Sequence, residues 1–152
     1  MNSNSTDRVA GIDYGTVRIG IAMADLSVGI ACPYDNYTRR GNAADTHYFQ
    51  QLVQQEKLTR FVIGLPVHLD GRESQKSREA REFGVWLGQV SGLNIDYFDE
   101  RYTSAEADSF MQEAQLTKKQ RKAKRDQLAA QIMLTAYLES GAQSQTDIQG
   151  LE

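Results

Sequence analysis

Apolar residues fall in short runs with strand character near the start of the chain and return later at helical spacing. Val9-Ala-Gly-Ile12 leads into Asp13, Tyr14-Gly-Thr16 supplies turn residues, and Arg18-Ile-Gly-Ile-Ala-Met23 resumes the strand pattern. Residues 8–24 therefore predict a hairpin. A third strand is expected between Gly29 and Thr38, with Pro33 bending it or holding it to a sheet edge. Ala44, Tyr48 and Leu52, with Phe49 and Val53, recur at the spacing of a helix face. The continuous apolar run Phe61-Val-Ile-Gly64 predicts a buried central strand, and Leu65 to Gly71 a loop with the Asp70-Gly71 turn signal. Ala80, Phe83, Leu87 and Val90 mark a second helix, and Asn94 to Asp99 another core strand. Thr103-Ser-Ala-Glu106 is a capping box that starts a further helix through Ala107, Phe110, Met111 and Ala114. A basic run covers Lys118 to Arg125, and a last helix is expected from about Arg125 to Glu139.

Hairpin strands first, then strands alternating with helices, predict an α/β domain. Its five-stranded mixed sheet is antiparallel at one edge, parallel toward the other, and flanked by helices. Residues 1–7 read as a loose leader, 8–139 as one domain and 140–152 as a polar tail that frays. The 152 residues, 40% hydrophobic and 24% charged, suffice for one core and exclude wholesale disorder. They also exclude an enzyme built from two full-sized lobes around a cleft.

The single cysteine, Cys32, forms no intramolecular disulfide and no thiolate-rich zinc site, which points to a reducing, cytoplasmic setting. No apolar run approaches the ~18 residues that a membrane span needs. The net charge of −3 argues against a uniformly basic nucleic-acid binder. It is an average, however. Between Lys118 and Arg125 lie six positive charges and no acid, and without them the chain carries −9.

The candidate chemistry lies in carboxylates at the ends of elements. Asp13 ends a buried strand, Glu100 follows the last core strand, and Asp126 shares a helix face with Ala129, Ala130, Met133 and Tyr137. The small residues Ala129 and Ala130 let that helix lie close to the sheet, bringing Asp126 toward the strand ends, where sites in open α/β sheets cluster. Three converging carboxylates repel one another unless a cation joins them. Hard oxygen donors suit Mg2+ or Mn2+. Two such ions ~3.5–4 Å apart orient a water and stabilise the leaving oxygen in phosphodiester cleavage. Each acid also has a structural reading: Asp13 as a turn residue, Asp126 as a helix-start residue favoured by the macrodipole, Glu100 as a surface partner of Arg101 or Arg125.

Four segments, in order, resemble the YqgF/RuvX family. Gly11-Ile-Asp-Tyr-Gly-Thr-Val-Arg-Ile-Gly-Ile-Ala22 resembles its opening motif, and Val62-Ile-Gly-Leu-Pro66 with Asp70-Gly71 its second. Asp99-Glu-Arg-Tyr-Thr-Ser104 is close to its Asp-Glu-Arg-x-Thr-Thr, and Asp126-Gln-Leu-Ala-Ala-Gln-Ile-Met-Leu134 is similar to its final Asp-x-x-Ala-Ala helix. Ser104 stands for the second Thr, and Ala123-Lys-Arg125 stands where the family often has a Gly. The resemblance implies an RNase H-like fold, kinship with Holliday-junction resolvases and a role as a pre-16S rRNA nuclease. It places the family's acidic site positions, which hold one or two Mg2+ or Mn2+ ions, on Asp13, Glu100 and Asp126.

Arg18 and Arg101 suit phosphate contact, because a guanidinium fork matches that geometry, and each also reads as a surface ion pair. Lys118, Lys119, Arg121 and Lys122 could hold a phosphate backbone in a salt-dependent way, or form a solvated loop. Gly15 and Gly20 allow turns or close approach. Thr103 reads as a helix cap, His68 as a solvated loop residue, His47 as structural, and Trp86 as partly buried core. The leading expectation is a metal-dependent nuclease acting on structured precursor rRNA as a monomer or weak homodimer. A four-way DNA junction resolvase, an actin-like kinase or ATPase and a non-catalytic assembly or transcription factor are the alternatives. The length disfavours the kinase, since that machinery needs two such domains.

Overall fold

The computed structural model describes residues 7–66, 70–100 and 118–140, with backbone only for 118–127. In chain order the elements are β1 (Arg8–Asp13), β2 (Arg18–Asp25), β3 (Ile30–Thr38), α1 (Asn42–Glu56), β4 (Arg60–Leu65), α2 (Gln75–Ser91), β5 (Asn94–Asp99) and α3 (Lys118–Glu139). The strands form one five-stranded sheet in the order β3-β2-β1-β4-β5. The pairs β1–β2 and β2–β3 are antiparallel, and β1–β4 and β4–β5 are parallel. This is the mixed sheet that the pattern predicts. Pro33 lies on the edge strand β3, beside a register shift between Ile21 and Ala22, where the missing N–H disrupts least.

Side-chain alternation divides the core between the two sheet faces. On one, Ala10, Ile12, Ile19, Ile21, Phe61 and Ile63 pack against Phe49 and Leu52 of α1 and Phe83 and Leu87 of α2. Phe49 sits at the centre of this layer, edge-on to Phe61, Phe83 and Trp86 with ring centroids 5.8–6.2 Å apart. On the other face, Val9, Ala22, Ala24, Ala31 and Val62 pack against Ala130, Met133, Leu134 and Tyr137 of α3. Here the contact is close. A Cβ at Gly11 would lie 3.0 Å from Leu134 Cβ and 3.4 Å from the Ala130 carbonyl oxygen. Gly11 is thus the strand's counterpart to the small residues on the helix.

The helix ends have local causes. Ser74 caps α2 by accepting a hydrogen bond from the Ser77 N–H at 2.9 Å and ties the cap to the preceding loop by donating to the Pro66 carbonyl at 2.6 Å. Gly92 closes α2 in the left-handed conformation at φ 74°.

One boundary differs from expectation. The last helix already includes Lys118, well before Arg125, so the basic run is helical and not a loop. Lys, Gln, Arg and Ala are all strong helix formers, and no Gly or Pro interrupts residues 118–125. Asp126 consequently lies within the helix, which removes its reading as a helix-start residue. The helix expected from Thr103 falls outside the described residues. Among the described residues, no helix is long and apolar enough to cross a membrane.

Candidate active site

Asp13 is the last residue of β1. Strand alternation settles its direction: Ala10 and Ile12 enter the α1/α2 core, so Val9, Gly11 and Asp13 face α3. Its antiparallel partner on β2 is Gly20. On the other side β4 runs parallel with Ile12 opposite Ile63, which brings Gly64 level with Asp13. Asp13 is therefore flanked on both neighbouring strands by residues without side chains.

Glu100 immediately follows β5, two strands away from β1 in the sheet. At ~4.8 Å per strand the two backbones are roughly 10 Å apart. The Glu100 side chain closes that gap by lying across Gly64. A Cβ at Gly64 would sit 2.8 Å from Glu100 Cδ and 2.9 Å from Cγ, so any larger residue would displace it. The Glu100 carboxyl reaches Asp13 and hydrogen-bonds to its side chain. Burial pushes the Glu100 pKa above its ordinary value, the neighbouring Asp99 charge adds to that, and Lys76 and the hydrogen bond to Asp13 oppose it without cancelling it. Two carboxyl groups in contact share a proton unless a cation takes its place.

That arrangement passes a chemical test for a divalent ion. The donors are hard carboxylate oxygens, and the Glu100 carboxyl meets that of Asp13 across Gly64. Among the described residues, no group of three or more His, Cys, Asp or Glu is placed to hold a metal. Asp126 lies on α3 one turn before Ala130, whose carbonyl approaches Gly11, and its side chain is outside the described residues.

The other predicted residues divide in the same way. Arg18 opens β2, exposed, and alternation from Gly20 turns it to the Asp13 face at the same sheet end. Gly15 does make a close approach: a Cβ there would lie 3.4 Å from the Arg18 carbonyl carbon. Lys118, Lys119, Arg121 and Lys122 are helical, with side chains outside the described residues, and Arg101, Thr103 and His68 lie outside them altogether. His47 is exposed on α1, while Trp86 is half-buried against Phe49 and Phe83. Two residues escaped the sequence reading. Gly64 carried a signal, since a glycine inside an apolar strand marks close approach of another group. Lys76 carried none, because its relation to Glu100 exists only in the fold.

A family model described as "RuvX: Holliday junction resolvase" matches residues 7–140. Proteins named "Putative pre-16S rRNA nuclease" are similar along most of their length. The one from Rhodopirellula baltica is 40% identical over 90% of this chain and 79% of its own. Those from Syntrophomonas wolfei and Neisseria gonorrhoeae are 36% and 39% identical, over 89% and 85% of this chain and 96% and 85% of their own. Among solved structures, Thermus thermophilus RuvC in complex with Holliday junction substrate superposes with a TM-score of 0.53 at 14% identity, covering 88% of this chain and 94% of that one. The fowlpox virus Holliday junction resolvase gives 0.50 at 12%, covering 88% and 99%. These two likenesses are of fold, and they place the mixed sheet in the RNase H-like class. With a family model matched from end to end of the described fold and relatives well above 30% identity, the chain belongs to the RuvX family.

Proposed function

We propose that this protein is a divalent-metal-dependent endonuclease that hydrolyses phosphodiester bonds in structured RNA, acting in the cytoplasm on the 5′ region of the small-subunit (16S) rRNA precursor. The observation that carries this reading is the Glu100–Asp13 contact across Gly64, a pair of oxygen donors at the carboxyl end of the parallel strands. The names of the relatives supply the substrate.

Asp13, Glu100 and Asp126 would hold one or two Mg2+ or Mn2+ ions. When bound, the metal neutralises charge on the reacting phosphate and makes water a stronger nucleophile at neutral pH. The residues of the chain set the geometry. Glu100 must extend across Gly64 to meet Asp13, so the spacing of the two carboxylates depends on β4 lying between β1 and β5. Arg18, on the same face and at the same end, would contact a phosphate of the substrate strand, as would Arg101, which follows Glu100 directly in the chain. Lys118, Lys119, Arg121 and Lys122, on α3, would hold the backbone farther along, adding affinity with little sequence information. No side-chain nucleophile is required, and positioning with charge stabilisation accounts for most of the rate.

A second reading, resolution of four-way DNA junctions, draws on the family's description. It would use the same carboxylates but needs paired sites, because two strands are cut symmetrically. One experiment separates the readings: side-by-side cleavage of precursor 16S rRNA and a four-way DNA junction by the wild type and Asp13→Asn, with Mg2+ or Mn2+. The expected outcome is cleavage of the RNA alone, reduced at least 10³-fold in Asp13→Asn with its circular dichroism unchanged. Undiminished cleavage by a folded Asp13→Asn protein would overturn the metal site, and cleavage confined to the junction would overturn the RNA assignment.

A further inference from the structure

On the sheet face away from Asp13 and Glu100, an open cleft of about 430 Å³ lies between α1, α2 and the end of β1. Its wall is aromatic, made by Tyr14, Phe83 and Trp86, and its rim carries Glu79 and Glu82 of α2. Tyr14 follows Asp13 directly, so one strand end sends Asp13 to the candidate active site and Tyr14 to the cleft.

Arg39 also lines the cleft, and it is fixed from several sides. Its Nε donates to the buried Asp45 carboxylate at 3.2 Å, its Nη1 donates to the Tyr14 hydroxyl at 3.1 Å, and its guanidinium lies 5.6 Å from the ring centres of Tyr14 and Phe83. Its Nη2 has no hydrogen-bond partner among the described residues. The Trp86 ring is held too, its Nε1 donating to Asn42 Oδ1 at 2.9 Å. Rigid flat groups, spare donors and carboxylate acceptors thus meet in one place.

Charge and shape restrict the ligand. Asp45 matches the charge of Arg39, so Glu79 and Glu82 leave the cleft anionic and unsuited to phosphate. Arg39 covers the faces of Tyr14 and Phe83, so the flat groups left to a ligand are the Trp86 ring and the Arg39 guanidinium itself, which repels a cationic side chain. A neutral planar heterocycle remains. Unpaired bases of RNA are recognised by stacking on aromatic rings and guanidinium planes and by hydrogen bonds to their edges. Carboxylates only accept, which selects an edge rich in donors, and the free Arg39 Nη2 supplies a donor for acceptors beside it. Guanine, with N1–H and N2–H2 on one edge and O6 and N7 on the other, meets both demands.

We propose that this cleft binds one unpaired base of the substrate strand, guanine in preference to the others, while the backbone of the same strand runs past Asp13. The proposal rests on the nucleic-acid reading above and adds to it a subsite that makes the strand splay. Trp86 is the sole tryptophan of the chain, so its fluorescence reports directly on the cleft. The test is titration of the full chain in EDTA with three RNA pentamers: four uridines around a central guanosine, a central uridine or a central abasic site. The guanosine pentamer is expected to quench Trp86 saturably and to bind on the order of tenfold more tightly than the abasic one. In the doubly substituted Glu79→Ala, Glu82→Ala protein that preference should disappear, while the abasic pentamer binds at least as tightly as to the wild type because two repelling charges are gone. Equal affinity for all three pentamers overturns the base site, as does quenching by N-acetylargininamide in their place, which would make the cleft a cation site. Because no divalent ion is present, cleavage plays no part in the readout. A base preference without rRNA cleavage would sink the nuclease assignment alone, and the reverse result would sink the cleft alone.

Discussion

The two faces of the sheet are built from opposite materials. The α1/α2 face is filled with large side chains, among them Phe49, Phe61, Phe83, Ile12, Ile19 and Ile63, whose rings interlock. The α3 face is lined with Ala22, Ala24, Ala31 and Ala130, with Gly11 at the closest point. Bulk on the first face yields buried apolar area and hence stability. Smallness on the second lets a helix and a long carboxylate side chain come down onto the strands. The candidate site lies on the face that contributes less packing. The separation predicts that stability and activity respond to different substitutions. Phe49→Ala should cost about 3–5 kcal/mol, because it empties the centre of the aromatic layer. Urea unfolding should show the loss, while cleavage per folded molecule, measured well below the transition, stays within about twofold of the wild type. A large loss of specific activity in folded Phe49→Ala protein would show that the two faces are coupled.

Gly64→Ala is the complementary case. The added methyl would occupy the space that Glu100 Cγ and Cδ now fill, so the carboxylate must swing away from Asp13. Misplacement by about 1 Å can cost on the order of 10²-fold in rate, and that loss is expected here in single-turnover cleavage. Stability should change far less than in Phe49→Ala. If Gly64→Ala retains full activity, the contact between Glu100 and Asp13 is not part of the chemistry.

These cases also show what the sequence made legible. Alternation and run length located every described strand, and Pro33 marked the edge, because those signals depend on local burial and on a missing N–H. Asp13 stood out at the end of a buried strand. Its contact with Glu100 did not, since it depends on β4 inserting between β1 and β5, and strand order is a tertiary fact. The helical state of residues 118–125 is less legible, because a run of like charges suits a phosphate-binding segment or a solvated loop equally, although each residue in it favours a helix.

Two carboxylates, one on each face, sharpen the comparison through pH. Burial works against the ionised form of both. For Asp45, 1% exposed, the Arg40 backbone N–H, the Tyr37 hydroxyl and Arg39 overcome it, and its pKa falls below the ordinary 3.8. For Glu100 burial prevails, and its pKa rises above the ordinary 4.5. The signs are opposite. A lowered carboxylate contributes stability above its unfolded pKa and loses it as pH falls through the folded value. A raised one costs stability at high pH, and that cost fades as pH falls through the folded value toward the unfolded one. Asp45→Asn should therefore cost about 2 kcal/mol at pH 7, with the deficit shrinking below pH 3.8.

Glu100→Gln should do the reverse on a smaller scale. Its amide NH2 can donate to the Asp13 carboxylate, while the charge that burial penalises is gone. A gain of about 1 kcal/mol, seen as a rise of a few degrees in Tm, is expected at pH 8 in EDTA and should vanish below pH 4.5. Adding Mg2+ should raise the wild-type Tm and narrow the gap, because an ion that binds only the folded protein stabilises it. A Glu100→Gln protein less stable than wild type at pH 8 in EDTA would mean that the ionised carboxylate is already compensated within the fold. The two faces of the sheet would then treat their carboxylates alike.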